Sequence, residues 1–183
     1  MTFSLPRWFA HRGGGSLAPE NTLAGIRLAA SLGYKAVEFD VMLSGDGTPV
    51  LIHDETLERT TNGTGSVSDM PDSELFALDA GGGEPIPRFA DAAALCRELG
   101  LLANIEIKPA AGYENQTAKL VAEMTKKYWH DADVQPLISS FSPFWFPYPC
   151  TRWVWGAKDT REVEIPCMPP PLVPRPKRIA GEG

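Results

Sequence analysis

The sequence predicts an α/β fold built on a parallel sheet that is either open or closed into a barrel. Runs of β-branched and aromatic residues alternate with segments whose apolar residues recur at helical spacing, as in successive βα units. Polar side chains of catalytic type stand at the ends of several predicted strands, as expected at the C-terminal face of a parallel barrel. Because 183 residues suffice for one substantial core, a single domain is the default expectation.

Composition narrows the class of protein. The chain is 43% hydrophobic and 22% charged, which is ordinary for a soluble globular protein. Its formal net charge of −6 argues against a nucleic-acid partner, which needs a basic face, and also disfavours a role at a membrane surface. Three scattered cysteines indicate a reducing compartment. No run has the apolar core of a signal peptide or the roughly 20 apolar residues of a membrane span, so we expect a cytoplasmic protein.

The first half of the chain predicts one helix and three strands. RWFAH, residues 7–11, is a short apolar strand candidate. PENTLAGIRLAASLG predicts a helix with Asn21 or Thr22 as its N-cap and Gly33 as its stop. YKAVEFDVML and TPVLIHD then predict two strands, separated by SGDG, whose Asp-Gly pair is a turn signal.

The second half begins with a loop-rich segment, residues 54–85, that carries many Gly, Ser and Asn residues. It is too long for an ordinary connection, so we expect an insertion of the kind that often covers a site. RFADAAALCRELG then predicts a helix that ends at Gly100, and LLANIEIK a strand. NQTAKLVAEMTKKY predicts another helix, and QPLISSF another strand.

Strand alternation indicates which polar side chains lie together. Side chains two residues apart in a strand share a face, so Glu38 and Asp40 point together. The same rule places Asn104, Glu106 and Lys108 of NIEIK on one face. Including the polar ends of RWFAH and VLIH, the strands present seven candidate site residues: His11, Arg12, Glu38, Asp40, His53, Glu106 and Lys108.

The three carboxylates on this face predict a bound cation. An uncompensated buried carboxylate costs several kcal/mol or shifts its pKa, so a cation is needed. Glu38, Asp40 and Glu106 offer only oxygen ligands, which suit Mg²⁺ or Ca²⁺, whereas the two histidines leave zinc as the alternative. Each motif alone has an ordinary interpretation, since a lone strand-end His is usually structural and a Glu-x-Asp is usually a solvated strand face. The occurrence of all these motifs in one sequence favours a functional site.

These motifs resemble those of the glycerophosphodiester phosphodiesterases. AHRGGGSLAPENT is similar to the opening His-Arg-Gly and the Pro-Glu-Asn-Thr box of that family. VEFDV, VLIHDETLERTTNGTG and NIEIK resemble its carboxylate strand, its second-histidine strand with the following loop, and its third-carboxylate strand. The resemblance extends over residues 8–141 and implies a TIM barrel, (β/α)8. The chain would contain the first five strands, with a small insertion after the third.

The resemblance also implies an activity and roles for the candidate residues. The family hydrolyses small-molecule glycerophosphodiesters to sn-glycerol 3-phosphate and an alcohol with a divalent cation, here Mg²⁺ or Ca²⁺. His11 and His53 would be the general acid/base pair, and Arg12 and Lys108 would bind the phosphodiester. The carboxylates that would hold the metal are Glu38, Asp40 and Glu106. Lysophospholipase D-like and sphingomyelinase D-like enzymes share the histidine pair and the carboxylates, and are the alternative activity.

Residues 142–183 depart from the family pattern. Nine of the 17 prolines lie in this tail, a density that is incompatible with ordinary barrel helices and strands. We therefore expect a partial barrel domain over residues 1–141, followed by an irregular Pro/Trp-rich tail of the kind produced by a frameshift or truncation. A catalytically impaired fragment that only binds metal or a partner chain is then the alternative function.

Overall fold

The computed structural model describes residues 5–108 and 110–140 and the backbone of residues 152–156 and 159–165. The helices in these ranges are α1 (Leu23–Ser31), α2 (Asp72–Leu75), α3 (Phe89–Glu98) and α4 (Glu114–Trp129). The strands are β1 (Ala36–Leu43), β2 (Pro49–Leu51), β3 (Leu102–Ile107), β4 (Leu137–Ser139), β5 (Arg152–Gly156) and β6 (Asp159–Ile165).

The main sheet has four strands in the order β2-β1-β3-β4. β1 pairs with β3 in parallel, and β3 pairs with β4 in parallel. The strand predicted at RWFAH is reduced to a single parallel bridge between Ala10 and Val37. Among the described residues, the five strands that the sequence predicted for the parallel sheet therefore correspond to the four strands of the main sheet and the bridge at Ala10.

The prediction of a wholly parallel sheet is wrong at β2, which runs antiparallel to β1 with Leu51 opposite Val41. The reason is the length of the connection. Ser44 N donates to Thr48 O at 2.9 Å, and Gly47 has a φ of +80°, so the chain reverses in a tight turn. A parallel connection needs a dozen or more residues, whereas a short turn permits only an antiparallel return.

Helices α1, α3 and α4 pack on the face of the sheet opposite to the predicted carboxylates. The start and stop predicted for α1 are confirmed, because the Thr22 side chain accepts from Gly25 N and Gly33 follows the helix with a φ of +85°. Phe89 of α3 stacks at 6.3 Å between centroids against both Phe39 of β1 and Trp129 of α4. This aromatic contact joins the sheet to two helices at the centre of the main core.

The segment 54–85 has a buried cluster of its own. It contains a 3₁₀ turn at Val67–Asp69 and the short helix α2. Its apolar side chains pack with those of β1, β2 and their neighbours in a second core, which comprises Met42, Val50, Ile52, Leu57, Val67, Leu75, Ala80, Ile86 and Ala110. Segment 54–85 is thus packed against the β1–β2 hairpin.

Part of the tail is regular, contrary to the expectation from its prolines. β5 and β6 pair antiparallel, with Val154 opposite Val163. The two strands lie between Pro149 and Pro166, a stretch without proline, so every residue keeps the N–H that a ladder needs. Trp145 and the proline cluster at 169–176 lie outside the described residues. Within the described ranges, every helix is too short or too polar to cross a lipid bilayer.

Two glycines bring the loop after Ala10 against α1. An added Cβ at Gly25 would lie 2.9 Å from Gly14 N, and one at Gly14 would lie 2.7 Å from the Ala18 Cβ. No real Cβ approaches backbone so closely without displacing it. The absence of side chains at Gly14 and Gly25 therefore lets the loop that carries the first predicted site residues lie directly on the first turn of α1.

We predict that Gly25→Ala destabilises the fold, although Gly→Ala inside a helix ordinarily stabilises it by about 0.5–1 kcal/mol. The new Cβ would push the backbone of Gly14 outward, an overpacking effect of about 1–3 kcal/mol. Chemical denaturation measures the change. Arg27→Ala, an exposed substitution on the same helix, is the control and should change stability by less than about 0.5 kcal/mol. A Gly25→Ala variant more stable than the wild type would contradict this packing.

Candidate active site

A cluster of three buried carboxylates lies at the centre of the sheet. The parallel register of β1 and β3 sets Asp40 beside Glu106 and Glu38 beside Asn104. One oxygen of each carboxylate lies within 4.8 Å of those of the other two. Their residues are only 5%, 1% and 7% exposed for Glu38, Asp40 and Glu106, respectively. The alternation predicted from the sequence has thus brought three acidic side chains from two strands into one small volume.

The spacing of these oxygens fits one hard divalent cation. Oxygens on opposite sides of an ion are about 4–5 Å apart, since each metal–oxygen bond is about 2.0–2.6 Å long. Asn104 adds a second observation, because both polar atoms of its buried amide lack a hydrogen-bond partner within the described part of the chain. A buried amide with unmet hydrogen bonds beside Glu38 indicates space for a polar occupant.

Burial sets the charge state of the cluster in the absence of an ion. Desolvation raises the pKa of Glu38 to about 7, and the neighbouring Asp40 carboxylate acts in the same direction. The backbone N–H of Arg12 donates to Glu38 Oε2 at 2.9 Å and opposes this shift. Below about pH 7 Glu38 therefore carries a proton that a cation would displace.

The loop after Ala10 carries His11 and Arg12 to the edge of the cluster. Arg12 has a φ of +53°, a left-handed conformation that is rare for residues other than glycine and common at functional sites. Its Nε lies 3.6 Å from Asp40 Oδ2, and its Nη1 lies 2.7 Å from Glu20 Oε1. His11 is largely exposed, with Nε2 at 3.8 Å from Glu38 Oε2. The loop thus brings both side chains to Glu38 and Asp40.

Lys108 faces the same carboxylates from the end of β3. Its Nζ lies 3.0 Å from Glu106 Oε1 and 3.9 Å from Asp40 Oδ1. The side chain is only partly exposed, so these contacts are less screened than those of a surface pair. Lys108 and Arg12 therefore offset part of the negative charge of the cluster from two directions.

Asn21 orients Asp40 through its side-chain amide. Its Nδ2 donates to Asp40 Oδ2 at 2.9 Å, and its Oδ1 accepts from Asp40 N at 3.0 Å. The residue is buried and has a φ of +55°, which asparagine tolerates better than most residues. From the sequence it was only a candidate helix cap, because nothing in PENT reveals that its amide reaches another strand.

His53 reaches the site because β2 returns along β1. Ile52 N donates to Asp40 O at 3.2 Å, which brings the end of this strand beside the carboxylate strand. His53 Nδ1 lies 2.5 Å from Asp54 Oδ1. Asp54 in turn accepts from Arg59, and Arg59 also donates to Glu20.

The structure thus brings six of the seven predicted residues into direct mutual contact, namely His11, Arg12, Glu38, Asp40, Glu106 and Lys108. His53 is linked to them by β-sheet pairing and by the Asp54–Arg59–Glu20 chain of ion pairs. Sequence reasoning missed Glu20, Asn21, Asp54 and Arg59. The available signal was their position within AHRGGGSLAPENT and VLIHDETLERTTNGTG, the segments that carry the family resemblance.

Comparison with known proteins agrees with this geometry. The chain is 38% identical over 146 residues to a glycerophosphodiester phosphodiesterase of Caldanaerobacter subterraneus subsp. tengcongensis, a match that covers 74% of this chain and 58% of the relative. It is 36% identical over 143 residues to glycerophosphodiester phosphodiesterase 1 of Bos taurus, covering 73% and 42% of the two chains. The chain therefore spans about half the length of these relatives.

Solved structures of phosphodiesterases are also similar to this chain. A phosphodiesterase of Oleispira antarctica, solved in complex with the product sn-glycerol-3-phosphate, is 41% identical with a TM-score of 0.73, and the match covers 80% of this chain and 64% of that one. A glycerophosphodiester phosphodiesterase of Agrobacterium tumefaciens is 37% identical with a TM-score of 0.64, over 73% and 57% of the two chains. The family match itself spans residues 11–144, from the first candidate histidine to just beyond β4. The chain belongs to the glycerophosphoryl diester phosphodiesterase family.

Proposed function

We propose that the chain carries the site for divalent-cation-dependent hydrolysis of glycerophosphodiesters to sn-glycerol 3-phosphate and an alcohol. The observation that carries this proposal is the cluster of Glu38, Asp40 and Glu106, whose oxygens lie within 4.8 Å of one another. The family and the product held by the Oleispira relative supply the substrate class.

The three carboxylates would hold the cation, Mg²⁺ or Ca²⁺, since both prefer oxygen ligands. When bound, the cation supplies positive charge that stabilises the phosphorane-like transition state. Asn21 keeps Asp40 in place through two hydrogen bonds, so this ligand is oriented before any ion arrives.

Arg12 and Lys108 would bind the phosphodiester. Each carries its cationic group at the edge of the carboxylate cluster, where a phosphate oxygen bound beside the ion would lie. The planar guanidinium of Arg12 can present two N–H donors to one phosphate, whereas Lys108 offers a compact charge. Together they compensate the charge that develops on the phosphoryl oxygens.

His11 and His53 would handle the protons. One imidazole accepts a proton from the water that attacks phosphorus, and the other donates a proton to the alkoxide oxygen that leaves as the P–O bond breaks. Imidazole suits both tasks because it titrates near neutral pH in the absence of strong perturbation. The exposed position of His11 and the half-buried position of His53 on different segments are consistent with action on opposite sides of a phosphate.

We further propose that the described sheet is the first part of a (β/α)8 barrel within a domain over residues 1–141, and that segment 54–85 borders the entrance to the site. An added Cβ at Gly81 would lie 3.0 Å from Pro19 Cβ, and Glu84 Oε2 accepts from Ala24 N at 3.2 Å. The insertion thus contacts the loop that follows His11 and Arg12. This position suits a segment that influences which diesters enter.

A second candidate is a domain that binds the cation without turnover. It is favoured by the antiparallel pairing of β5 and β6, which departs from the parallel order of β1, β3 and β4. Cation titration and glycerol 3-phosphate release, measured on the same preparation with glycerophosphocholine, separate the two candidates. Binding with release supports hydrolysis, and binding without release supports the second candidate.

We predict that Glu38→Gln weakens Mg²⁺ or Ca²⁺ binding at least about tenfold, because one anionic ligand of three is lost. Calorimetric titration measures the affinity. Glu98→Gln, which removes an exposed carboxylate at the end of α3, is the matched control and should leave the affinity unchanged. Wild-type affinity in Glu38→Gln would remove this residue from the ligand set.

We also predict that cation affinity rises with pH through about 7. The pKa of Glu38 is raised to about 7, so below this pH the ion must displace a proton. The same shift means that, without a cation, the folded chain binds this proton more tightly than the unfolded chain. Proton binding at Glu38 therefore stabilises the fold at low pH, and this stabilisation is lost as pH rises from about 4.5 to about 7. Titrations at pH 6 and pH 8 on wild type and Glu38→Gln measure the effect, which should be smaller in the variant.

A third prediction concerns the histidines. His11→Ala or His53→Ala should each lower the rate of glycerol 3-phosphate release by roughly 10²-fold or more, the usual scale of general acid/base catalysis. Cation affinity should hardly change, because neither imidazole belongs to the carboxylate cluster. His130→Ala, an exposed histidine after α4, is the matched control. Normal turnover in either of the first two variants would refute the assigned role.

A further inference from the structure

Arg59 joins the two segments that carry the proposed acid/base and phosphate-binding residues. Its Nε and Nη2 donate to the two oxygens of Asp54 at 2.5 and 3.0 Å. Its Nη1 and Nη2 donate to the two oxygens of Glu20, both at 2.8 Å. One guanidinium thus spans the loop after β2 and the loop before α1.

We propose that Arg59 is a positioning residue that holds His53 and Arg12 in their working orientations through Asp54 and Glu20. The proposal rests on the proposed function, in which His53 transfers protons and Arg12 binds phosphate.

The contact of Asp54 with His53 determines which imidazole nitrogen of His53 carries the proton. His53 Nδ1 lies 2.5 Å from Asp54 Oδ1, the same oxygen that accepts from Arg59 Nη2. A carboxylate accepts hydrogen bonds, so the neutral imidazole must carry its proton on Nδ1 to make this contact. Nε2 is then the nitrogen available for proton transfer.

The carboxylate of Glu20 holds the side chain of Arg12 in place. Glu20 Oε1 accepts from Arg12 Nη1 at 2.7 Å and from Arg59 Nη2 at 2.8 Å. Because Arg59 fixes the Glu20 carboxylate from the other side, the Arg12 side chain is held with its Nε facing Asp40 at 3.6 Å. A displacement of Glu20 would release the guanidinium that we place on the phosphate.

The charges of this network persist over the neutral range. Hydrogen bonds from Arg59 lower the pKa of Asp54 and of Glu20, and the same two carboxylates raise the pKa of Arg59. Asp54 and Glu20 therefore remain anionic acceptors wherever the enzyme would act.

The contribution of Arg59 to stability is small by comparison. Its side chain is 46% exposed, and ion pairs of this exposure contribute only about 0–1 kcal/mol each. Leu57, two residues earlier, is fully buried and anchors the backbone of the segment independently of the guanidinium. Removing the side chain of Arg59 should therefore change orientation at the site without unfolding the domain.

The test is the tautomer of His53, measured by ¹⁵N NMR of the imidazole rings on the full chain. The chain has only three histidines, so the signals are few, and His130 serves as an internal reference. In the wild type we expect neutral His53 to carry its proton predominantly on Nδ1. In Arg59→Gln the ratio of the Nδ1–H to the Nε2–H form should fall about tenfold, the scale of one charge-assisted hydrogen bond.

Two further variants make the result decisive. Arg97→Gln removes another partly exposed arginine that bridges a carboxylate and a carbonyl, far from the site on α3, and should leave His53 unchanged. Arg59→Lys keeps the charge but cannot donate to both carboxylates in a fork, so it should behave like Arg59→Gln and also covers the case in which the glutamine variant fails to fold. A His53 tautomer ratio unchanged in a folded Arg59 variant overturns the proposal.

Hydrolysis is a separate readout. In a chain that releases glycerol 3-phosphate, Arg59→Gln should lower kcat with an unchanged cation affinity. Absence of hydrolysis by the wild type would contradict the proposed function, while the NMR measurement would still decide the role of Arg59.

Discussion

The structure depends on the burial of three carboxylates on one face of the sheet. Glu38, Asp40 and Glu106 come from two strands whose parallel register places them side by side, and like charges at this distance repel strongly in a poorly solvated setting. The surrounding polypeptide is arranged to tolerate them. The backbone N–H of Arg12, the Asn21 amide and the cationic side chains of Arg12 and Lys108 contact these carboxylates.

This arrangement explains two unusual backbone conformations. Arg12 and Asn21 are the only residues other than glycine with a positive φ in the described part of the chain, and each contacts a carboxylate of the cluster. Their backbones are also joined, because Asn21 N donates to Arg12 O at 2.9 Å. The loop between them is closed on itself, and the close contact of Gly14 with Gly25 holds it on α1. Local strain is thus offset by interactions that orient Asp40 and Glu38.

The hairpin of β1 and β2 links the site to segment 54–85. A parallel strand would have required a long crossover, whereas the tight turn returns the chain beside Asp40, so that His53 and segment 54–85 follow directly. Leu57, Val67 and Leu75 then bury their side chains in a core shared with this hairpin. The segment is therefore ordered by packing despite its many Gly and Ser residues, and it can hold Arg59 against two loops.

The sequence by itself predicted α1, α3, α4, β1 to β4 and the seven candidate residues, because helical and strand periodicity are local properties, but it did not predict α2, β5 or β6. The alternation in VEFDV and NIEIK was sufficient to place the carboxylates on one face. The antiparallel direction of β2 follows from the short turn at Ser44–Thr48. Tertiary structure alone decided that Asn21 reaches Asp40 and that Arg59 bridges Asp54 and Glu20. These contacts join residues 5 to 39 positions apart in the chain. Their partners are chosen by sheet register and loop packing, which no local pattern encodes.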